Sequence, residues 1–327
     1  MKILADSNMP FVREAFSHIG ETVLKDGRTF TAADARDADM VICRSTAKIG
    51  PALLEGSKVR FVGSGVIGTD HLDIPWLESQ GIRWRSAPGC NARSVANWVA
   101  SALQALRLPR GATLGIVGCG HVGSQVEIYA KAAGLRTVLN DPPKGIGVPL
   151  EELLQVSDAV TLHVPLVRIG KWPTFHLADE RFFSLMKPGA VFLNAARGAV
   201  ADTDAFIAAK RSGRISAAAI DCWEGEPHVR KDAIDAADIA TPHIAGHSFE
   251  GKVNGTAAVY REACAFLGIK PDFDFPLPPP PEGFFYDIMA DDAAFRAAPE
   301  SFDRLRAAYP ASRRELPPEA FARPAAG

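Results

Sequence analysis

The sequence has 327 residues, of which 47% are hydrophobic and 23% charged, and its formal net charge is −2. This length suggests two domains with room for buried cores, and the charge gives no reason to expect a nucleic-acid or membrane partner. No apolar run approaches the roughly 20 residues that a membrane-spanning helix needs, and no signal-peptide pattern follows Met1. Five cysteines lie scattered without a CxxC pair, which favours a cytoplasmic protein with no metal site.

Short apolar runs alternate with helical patterns from the start of the chain. Strands are predicted at 3–5, 40–43 and 60–63, with a helix at 10–19, and a long amphipathic helix follows its predicted N-cap, Asn91. This alternation is typical of βαβ units that form a parallel sheet. Ligands of such sheets bind beyond the carboxyl ends of the strands, so the segments that follow strands are the candidate binding segments.

Two early segments carry groups that suit an anionic substrate. Residues 44–48 offer two cations and two hydroxyls after a predicted strand. Residues 63–70 are rich in glycine, and their backbone N–H groups are suited to cradling a carboxylate. We therefore expect substrate contacts here, although a solvated loop with incidental charges is an equally good interpretation of the two cations.

A glycine-rich turn predicts a dinucleotide site. An apolar strand at 113–117 runs into Gly118, Gly120 and Gly123, and a helix is predicted at 124–133. The first glycine permits the tight turn, the second lets a pyrophosphate approach the backbone, and the third lets helix and strand pack closely. The N-terminus of the helix then offers its N–H groups and positive dipole end to the phosphates.

An acidic residue closes the next predicted strand. The strand at 137–140 ends at Asp141, close to the roughly 20-residue offset at which an acid meets the adenosine ribose. An acid there should repel a 2′-phosphate, which favours NAD over NADP. An ordinary βαβ turn with a surface aspartate is the less favoured alternative. Further strands are predicted at 159–162, 190–194, 216–220 and 238–240.

Arg197, Glu226 and His243 each follow a different predicted strand. Because the carboxyl ends of parallel strands share one edge, all three side chains should face the same crevice as the glycine turn. Hydride transfer from a 2-hydroxy acid needs an imidazole to take the hydroxyl proton, a carboxylate to orient it, and a guanidinium to hold the substrate. Each residue alone is more often structural, but together they predict an oxidoreductase site.

Four segments resemble the D-isomer-specific 2-hydroxyacid dehydrogenase family, namely LGIVGCGHVG at 114–123, MKPGAVFLNAARGAVAD at 186–202, DCWEGEP at 221–227 and TPHIAG at 241–246. The resemblance implies an α/β protein with two Rossmann-like doubly wound parallel-sheet domains, a crevice between them, and a short Pro/Ala-rich C-terminal tail. The implied divisions are a discontinuous substrate domain at 1–92 and 247–270, an NAD-binding domain at 93–246, and a Pro-rich linker with a curtailed dimerisation tail at 271–327.

The resemblance also implies roles for individual residues. It implies that Arg197, Glu226 and His243 are catalytic, with His243 as the acid/base. The implied cofactor contacts are Gly118, Gly120, His121, Val122, Gly123, Asp141, His163, Val164, Ala195, Ala196, Asp221 and Gly246. The candidate substrate contacts are Arg44, Ser45, Lys48, Ser64, Gly65, Val66 and His247. The expected partners are NAD, a small phosphorylated hydroxy acid and a second copy of the chain in a homodimer.

The chain departs from the family pattern at three positions. Val66, Val164 and His247 stand where we expect Thr, Thr and Tyr. These departures leave open another D-2-hydroxy acid, or a substrate of glyoxylate or hydroxypyruvate type. A non-catalytic NAD-sensing protein on the same scaffold is an alternative of another class. The three catalytic residue types argue against that alternative, because a sensor does not need them.

Overall fold

The computed structural model describes residues 1–308 and 313–322, which fall into two compact units. The first unit contains residues 1–91 and 248–279, and the second contains 92–247 and the described residues from 280 onward. Each unit is built on a sheet of mainly parallel strands with helices packed on it, which confirms the predicted α/β class. Within the described ranges, no helix combines the length and apolarity needed to cross a membrane.

Five described strands form the sheet of the first unit. They are β1 Lys2–Asp6, β2 Glu21–Lys25, β3 Met40–Cys43, β4 Phe61–Ser64 and β5 Arg83–Arg85. Their order is β2-β1-β3-β4-β5, and all neighbours are parallel. Successive side chains of a strand point to opposite faces, so Met40 and Ile42 join one apolar cluster while Val41 and Cys43 join the other.

The sheet of the second unit contains seven strands within the described residues. They are β6 Thr113–Val117, β7 Arg136–Asp141, β8 Ile146–Gly147, β9 Ala159–Leu162, β10 Ala190–Asn194, β11 Ile215–Ile220 and β12 Ile239–Ala240. Their order is β12-β11-β10-β9-β6-β7-β8, and β8 is antiparallel to β7. Phe192 and Leu193 of β10 join apolar clusters on opposite faces, so the sheet is covered on both sides.

The helices complete the two units. In chain order they are α1 Val12–Phe16, α2 Ala32–Ala35, α3 Pro51–Leu54, α4 Ile74–Ser79, α5 Ala92–Ala105, α6 His121–Ala132, α7 Leu150–Val156, α8 Glu180–Leu185, α9 Thr203–Arg211, α10 Lys231–Ala236, α11 Phe249–Leu267, α12 Ile288–Ala297 and α13 Phe302–Ala307. Helices α1 to α4 and α11 belong to the first unit, and the others belong to the second.

The segment predicted as a C-terminal tail contributes to the core of the second unit. Phe295 of α12 and Phe302 of α13 are fully buried, and Phe295 packs against the indole of Trp223. Further along, Phe321 packs against Tyr129 of α6. Residues 309–312 and 323–327 of the predicted tail lie outside the described part of the chain.

The stability of the first unit should depend on pH through His71. Burial lowers the pKa of His71 to about 4, and its Nε2 lies 2.9 Å from the hydroxyl of Ser64. Between about pH 6.5 and pH 4 the unfolded chain therefore binds a proton at His71 that the folded unit does not bind. The contribution of His71 to the free energy of unfolding is fully present above about pH 6.5 and is lost as the pH falls towards 4. Between pH 7 and pH 5 this group should remove about 2 kcal/mol from the free energy of unfolding.

Urea unfolding of the first unit at both pH values measures this effect. His71→Asn should flatten the pH dependence, because the group that titrates is gone. His228→Gln is the matched control, since His228 is exposed in the second unit. The same pH dependence in His71→Asn and in the unaltered protein would contradict the prediction.

Candidate active site

The three predicted catalytic residues follow three adjacent strands of the second unit. Arg197 follows β10, Glu226 follows β11 and His243 follows β12. The side-chain amide of Asn194 donates to the carbonyl oxygens of Arg197 at 3.1 Å and Cys222 at 3.3 Å, which ties two of the turns together. The sheet therefore brings these three turns to one edge, as the sequence predicts.

Glu226 and His243 form a hydrogen-bonded pair. Nδ1 of His243 lies 2.7 Å from Oε2 of Glu226, and the other carboxylate oxygen accepts the amide N–H of Trp223 at 2.6 Å. Burial opposes ionisation of Glu226, yet the neighbouring His243 and the Trp223 amide hold the pKa of that carboxyl below its usual value. An ionised carboxylate on Nδ1 orients the ring and directs Nε2 to proton exchange. The pair is suited to act as an oriented acid/base.

Asp221 holds the turn that carries His243. His243 has a φ of 54°, in the left-handed region that residues other than glycine seldom adopt. The buried carboxylate of Asp221 accepts the Thr241 hydroxyl at 2.6 Å and the amide N–H groups of Ile244 and Ala245 at 2.8 and 2.9 Å. Burial raises the pKa of Asp221 in spite of these bonds. The predicted cofactor contact of Asp221 stays a prediction, while this supporting role is observed.

A buried thiol lies beside the pair. Cys222, Glu226 and His243 are the one trio in the described ranges whose ligand atoms, all within 4.8 Å of one another, could hold a metal ion. Burial raises the pKa of the Cys222 thiol well above its usual value, and the neighbouring carboxylates add to this effect. A metal ion would need the thiolate. The surroundings therefore favour a protonated thiol and a proton-transfer pair over a metal centre.

The glycine turn has the geometry that a dinucleotide requires. Gly118 has a φ of 94°, and a Cβ there would lie 2.6 Å from the carbonyl oxygen of His163. A Cβ on Gly123 would lie 1.9 Å from the carbonyl oxygen of Gly118. A Cβ on Gly120 would meet open space, with Nζ of Lys144 at 3.9 Å as its nearest described neighbour. Only glycine fits at positions 118 and 123, because a Cβ there would overlap backbone atoms. At Gly120 the missing side chain leaves room for a pyrophosphate at the N-terminus of α6.

Asp141 lies against this turn at the end of β7. Its Oδ2 accepts the amide N–H of Cys119 at 2.8 Å. Nζ of Lys144 lies 4.0 Å from the same oxygen and donates to the carbonyl of Cys119 at 3.0 Å. The carboxylate is thus beside the proposed pyrophosphate position, where an acid that meets ribose would stand. The ribose contact itself stays a prediction.

The other predicted cofactor residues lie around these turns. His163 and Val164 follow β9, and the Val164 side chain packs beside Gly118. Burial lowers the pKa of His163 to about 3, so its ring is neutral, and its Nε2 lies 3.0 Å from the Thr161 hydroxyl. The remaining residues occupy the start of α6, the turn after β10 and the end of the His243 turn, namely His121, Val122, Ala195, Ala196 and Gly246.

The predicted substrate residues of the first unit follow β3 and β4. Ser45 and Lys48 are exposed and Arg44 is half-buried, whereas Ser64 is fully buried and hydrogen bonded to His71. Gly65 packs closely against α11, and Val66 follows it. The last predicted substrate residue, His247, ends the second unit's 92–247 segment and donates its amide to the carbonyl of Ile244. The structure describes these positions, and their contacts with substrate stay predictions.

Sequence reasoning missed Lys252, which lies in α11 of the first unit. Burial lowers the pKa of Lys252, and the positive charge of Arg44 lowers it further. The two positive charges repel each other, and an anion bound beside them would relieve the repulsion. The sequence shows a cationic segment at 44–48, but no local pattern connects that segment with Lys252, which lies far along the chain.

Comparisons with known proteins show what this chain is similar to. Residues 85–245 match the family model for the NAD binding domain of D-isomer specific 2-hydroxyacid dehydrogenases. An erythronate-4-phosphate dehydrogenase of Cellvibrio japonicus is 40% identical and covers 96% of this chain and 93% of its own length. One of Salinibacter ruber is 46% identical, over 82% of this chain and 72% of its own. The solved TT0316 protein of Thermus thermophilus is 26% identical, with a TM-score of 0.69 over 83% of this chain and 98% of its own.

Gly120→Ala should separate a ligand contact from a packing contact. The φ of Gly120 is −78° and its Cβ position is open, so alanine should cost no more than about 1 kcal/mol as a poorer N-cap. NADH binding should weaken about tenfold or more, because the methyl group fills the position proposed for the pyrophosphate.

Thermal unfolding without cofactor and fluorescence titration with NADH measure the two effects. Gly123→Ala is the matched control, and it should lower the Tm strongly because its methyl group would overlap the backbone. Unchanged NADH affinity in Gly120→Ala would show that the pyrophosphate lies elsewhere.

Proposed function

The chain belongs to the D-isomer-specific 2-hydroxyacid dehydrogenase family of NAD-dependent dehydrogenases, and from this premise we propose that it oxidises 4-phospho-D-erythronate to 2-oxo-3-hydroxy-4-phosphobutanoate. The observation that carries the proposal is the hydrogen-bonded Glu226–His243 pair on the sheet edge that also carries Arg197. The substrate is suggested by the names of the relatives. The proposal includes a role in pyridoxal phosphate synthesis, a homodimer and a cytoplasmic location.

His243 is assigned the proton transfer. Because Nδ1 is held by Glu226, Nε2 is the ring nitrogen that takes the proton from the C2 hydroxyl of the substrate. The ionised Glu226 stabilises the imidazolium that forms. In the reverse direction the imidazolium returns the proton to the C2 oxygen. NAD, when bound at the glycine turn, accepts the hydride from C2.

Arg197 is assigned to the substrate carboxylate and the C2 oxygen. A guanidinium offers parallel N–H donors that match a carboxylate, so it fixes the orientation of C2 as well as supplying charge. Its backbone is fixed by the Asn194 amide, and its Nη1 donates to the Ala196 carbonyl at 2.8 Å. This support limits the positions that the guanidinium can take.

The cations of the first unit are assigned to the substrate phosphate. Burial lowers the pKa of Lys252, and the positive charge of Arg44 lowers it further. A bound phosphate would interact favourably with both charges, and a neutral group at the same position would not. Ser45 follows Arg44 directly and Lys48 belongs to the same segment, and both are further candidates for this contact.

The first test compares substrates by NADH formation. The value of kcat/KM for 4-phospho-D-erythronate should exceed that for erythronate by about 100-fold, because two charge-assisted contacts are lost without the phosphate. Glycerate, 3-phosphoglycerate and lactate complete the panel. A parallel assay contains excess 2-oxo acid as an electron acceptor. The acceptor reoxidises NADH that stays bound, so that tight binding of NADH does not mask turnover.

Lys252→Ala provides the matched variant for this test. It should lower kcat/KM for 4-phospho-D-erythronate about tenfold and leave that for erythronate nearly unchanged. Faster turnover of an unphosphorylated acid would favour a different 2-hydroxy acid as substrate. No turnover of any acid, together with tight NADH binding, would favour a sensor.

The second test replaces the acid/base. His243→Ala should lower kcat about a thousandfold, because the hydroxyl proton loses its acceptor, while NADH affinity stays close to that of the unaltered protein. His228→Ala, an exposed position, is the control and should not change kcat. Turnover that survives in His243→Ala would refute the assignment of His243.

A further inference from the structure

The turn that carries His243 is bonded through its carbonyl oxygens as well as through its N–H groups. Nε of Arg306 donates to the carbonyl of His243 at 3.2 Å. Nη1 of Arg313 donates to the carbonyl of Ile244 at 2.6 Å, and Nη2 donates to that of Ala245 at 3.2 Å. Both arginines come from the C-terminal segment, more than fifty residues further along the chain. Three consecutive carbonyls around the proposed acid/base are therefore held by two guanidiniums.

Packing holds both guanidiniums in place. Arg313 is 4% exposed, and its guanidinium lies 4.1 Å from the centre of the Tyr286 ring. The Arg306 guanidinium lies 5.6 Å from the centre of the buried Phe302 ring and 3.9 Å from a carboxylate oxygen of Asp303. Stacking on an aromatic ring restricts a guanidinium at little cost to its hydrogen bonds. Contacts other than those with the turn thus restrict both guanidiniums.

The same segment is bonded to the strand that leads to His243. The side chain of Asp292 in α12 accepts the amide N–H of Ala240 in β12 at 2.7 Å. Asp292 is itself held by Nε of Arg296 at 2.9 Å, and Arg296 also donates to the carbonyls of Ile234 and Ala237. Because β12 is the edge strand of the sheet, this carboxylate satisfies an amide that has no neighbouring strand on that side.

Arg306 also acts on the charge of the proton-transfer pair. Burial opposes the ionisation of Glu226, and the positive charge of Arg306 is among the influences that lower the pKa of this carboxyl. The titratable and charged groups around the pair are Asp221, Cys222, Arg197 and Arg306. A backbone in the left-handed region persists only where its surroundings determine it from several directions.

From these contacts we propose that Arg306 is a positioning residue for His243, and that α12, α13 and Arg313 support the turn of the acid/base. The inference rests on the proposed function, since it concerns the residue assigned to proton transfer. Arg306 holds the carbonyl of His243 while Asp221 holds the neighbouring amides, so the ring is fixed from both sides of the turn.

Arg306→Ala in the full chain tests the inference. Its kcat should fall about 10- to 100-fold through misplacement of the imidazole, with smaller changes in KM for either substrate. The acid limb of the kcat–pH profile should move to higher pH, because loss of the cation lets the pKa of Glu226 rise. Arg306→Lys should restore the acid limb but only part of kcat, since it keeps the charge and loses the donor geometry.

Arg304→Ala is the matched control. Arg304 lies on the same helix and is exposed. Its guanidinium donates to the Ser301 hydroxyl, whereas that of Arg306 donates to the His243 turn. Its kcat and pH profile should equal those of the unaltered protein. A kcat of Arg306→Ala within about twofold of the unaltered value, or an equal loss in Arg304→Ala, would overturn the inference.

Hydrogen–deuterium exchange separates failure of this inference from failure of the proposed function. Peptides that cover 243–247 should exchange faster in Arg306→Ala than in the unaltered protein or in Arg304→Ala, whether or not turnover is measurable. If the unaltered protein oxidises no 2-hydroxy acid, the proposed function fails, and faster exchange still establishes the support of the turn. Unchanged exchange in Arg306→Ala overturns the support, even where the unaltered protein is active.

Discussion

The buried carboxylate of Asp221 is the interaction on which the rest of the candidate site depends. Its two oxygens accept the Thr241 hydroxyl and the amides of Ile244 and Ala245, so one side chain sets the path of the chain on both sides of His243. Each buried donor left unpaired would cost about 1–3 kcal/mol. Together these costs exceed the roughly 1–3 kcal/mol that a left-handed residue other than glycine requires. The unusual backbone of His243 is therefore stable because relaxing it would break the bonds to Asp221.

The order of the strands decides which residues meet at this edge of the sheet. The chain passes from β6 to β7 on one side and then crosses to β9 on the other, so the order β12-β11-β10-β9-β6-β7 has its switch point at β6. Ligands of open α/β sheets bind beyond the strands at such a point. The glycine turn follows β6 directly, and the turns after β10, β11 and β12 lie side by side further along the same edge. One crossover thus places a dinucleotide turn and three polar turns on a single edge of the second unit.

Local pattern was enough to predict most strands of the two units, and contacts between distant segments were not predictable. The strands at 40–43, 113–117, 159–162 and 190–194 agree with prediction because each is a short, continuous apolar run. The edge strand β2 was missed because its residues are mostly polar or only half-buried. The helix α12 was missed because only two of its buried residues, Ile288 and Phe295, are large and apolar, which is too few to show a helical period. The electrostatic interaction of Lys252 with Arg44, and the hydrogen bond from Arg306 to His243, join segments that have no local signal in common.

In the proposed mechanism His243 changes charge in every turnover, and the carboxylate that pairs with it is under opposing influences. Burial opposes the ionisation of Glu226, whereas His243, the Trp223 amide and the positive charge of Arg306 favour it. Arg306 also holds the turn through the carbonyl of His243, while Asp221 holds it through the amides of Ile244 and Ala245. Position and charge are therefore coupled, because a shift of the turn away from Arg306 would also remove a charge that favours the ionised Glu226. Since Arg306 lies far along the chain from His243, the proposed support of the acid/base depends on the packing of α12 against β12.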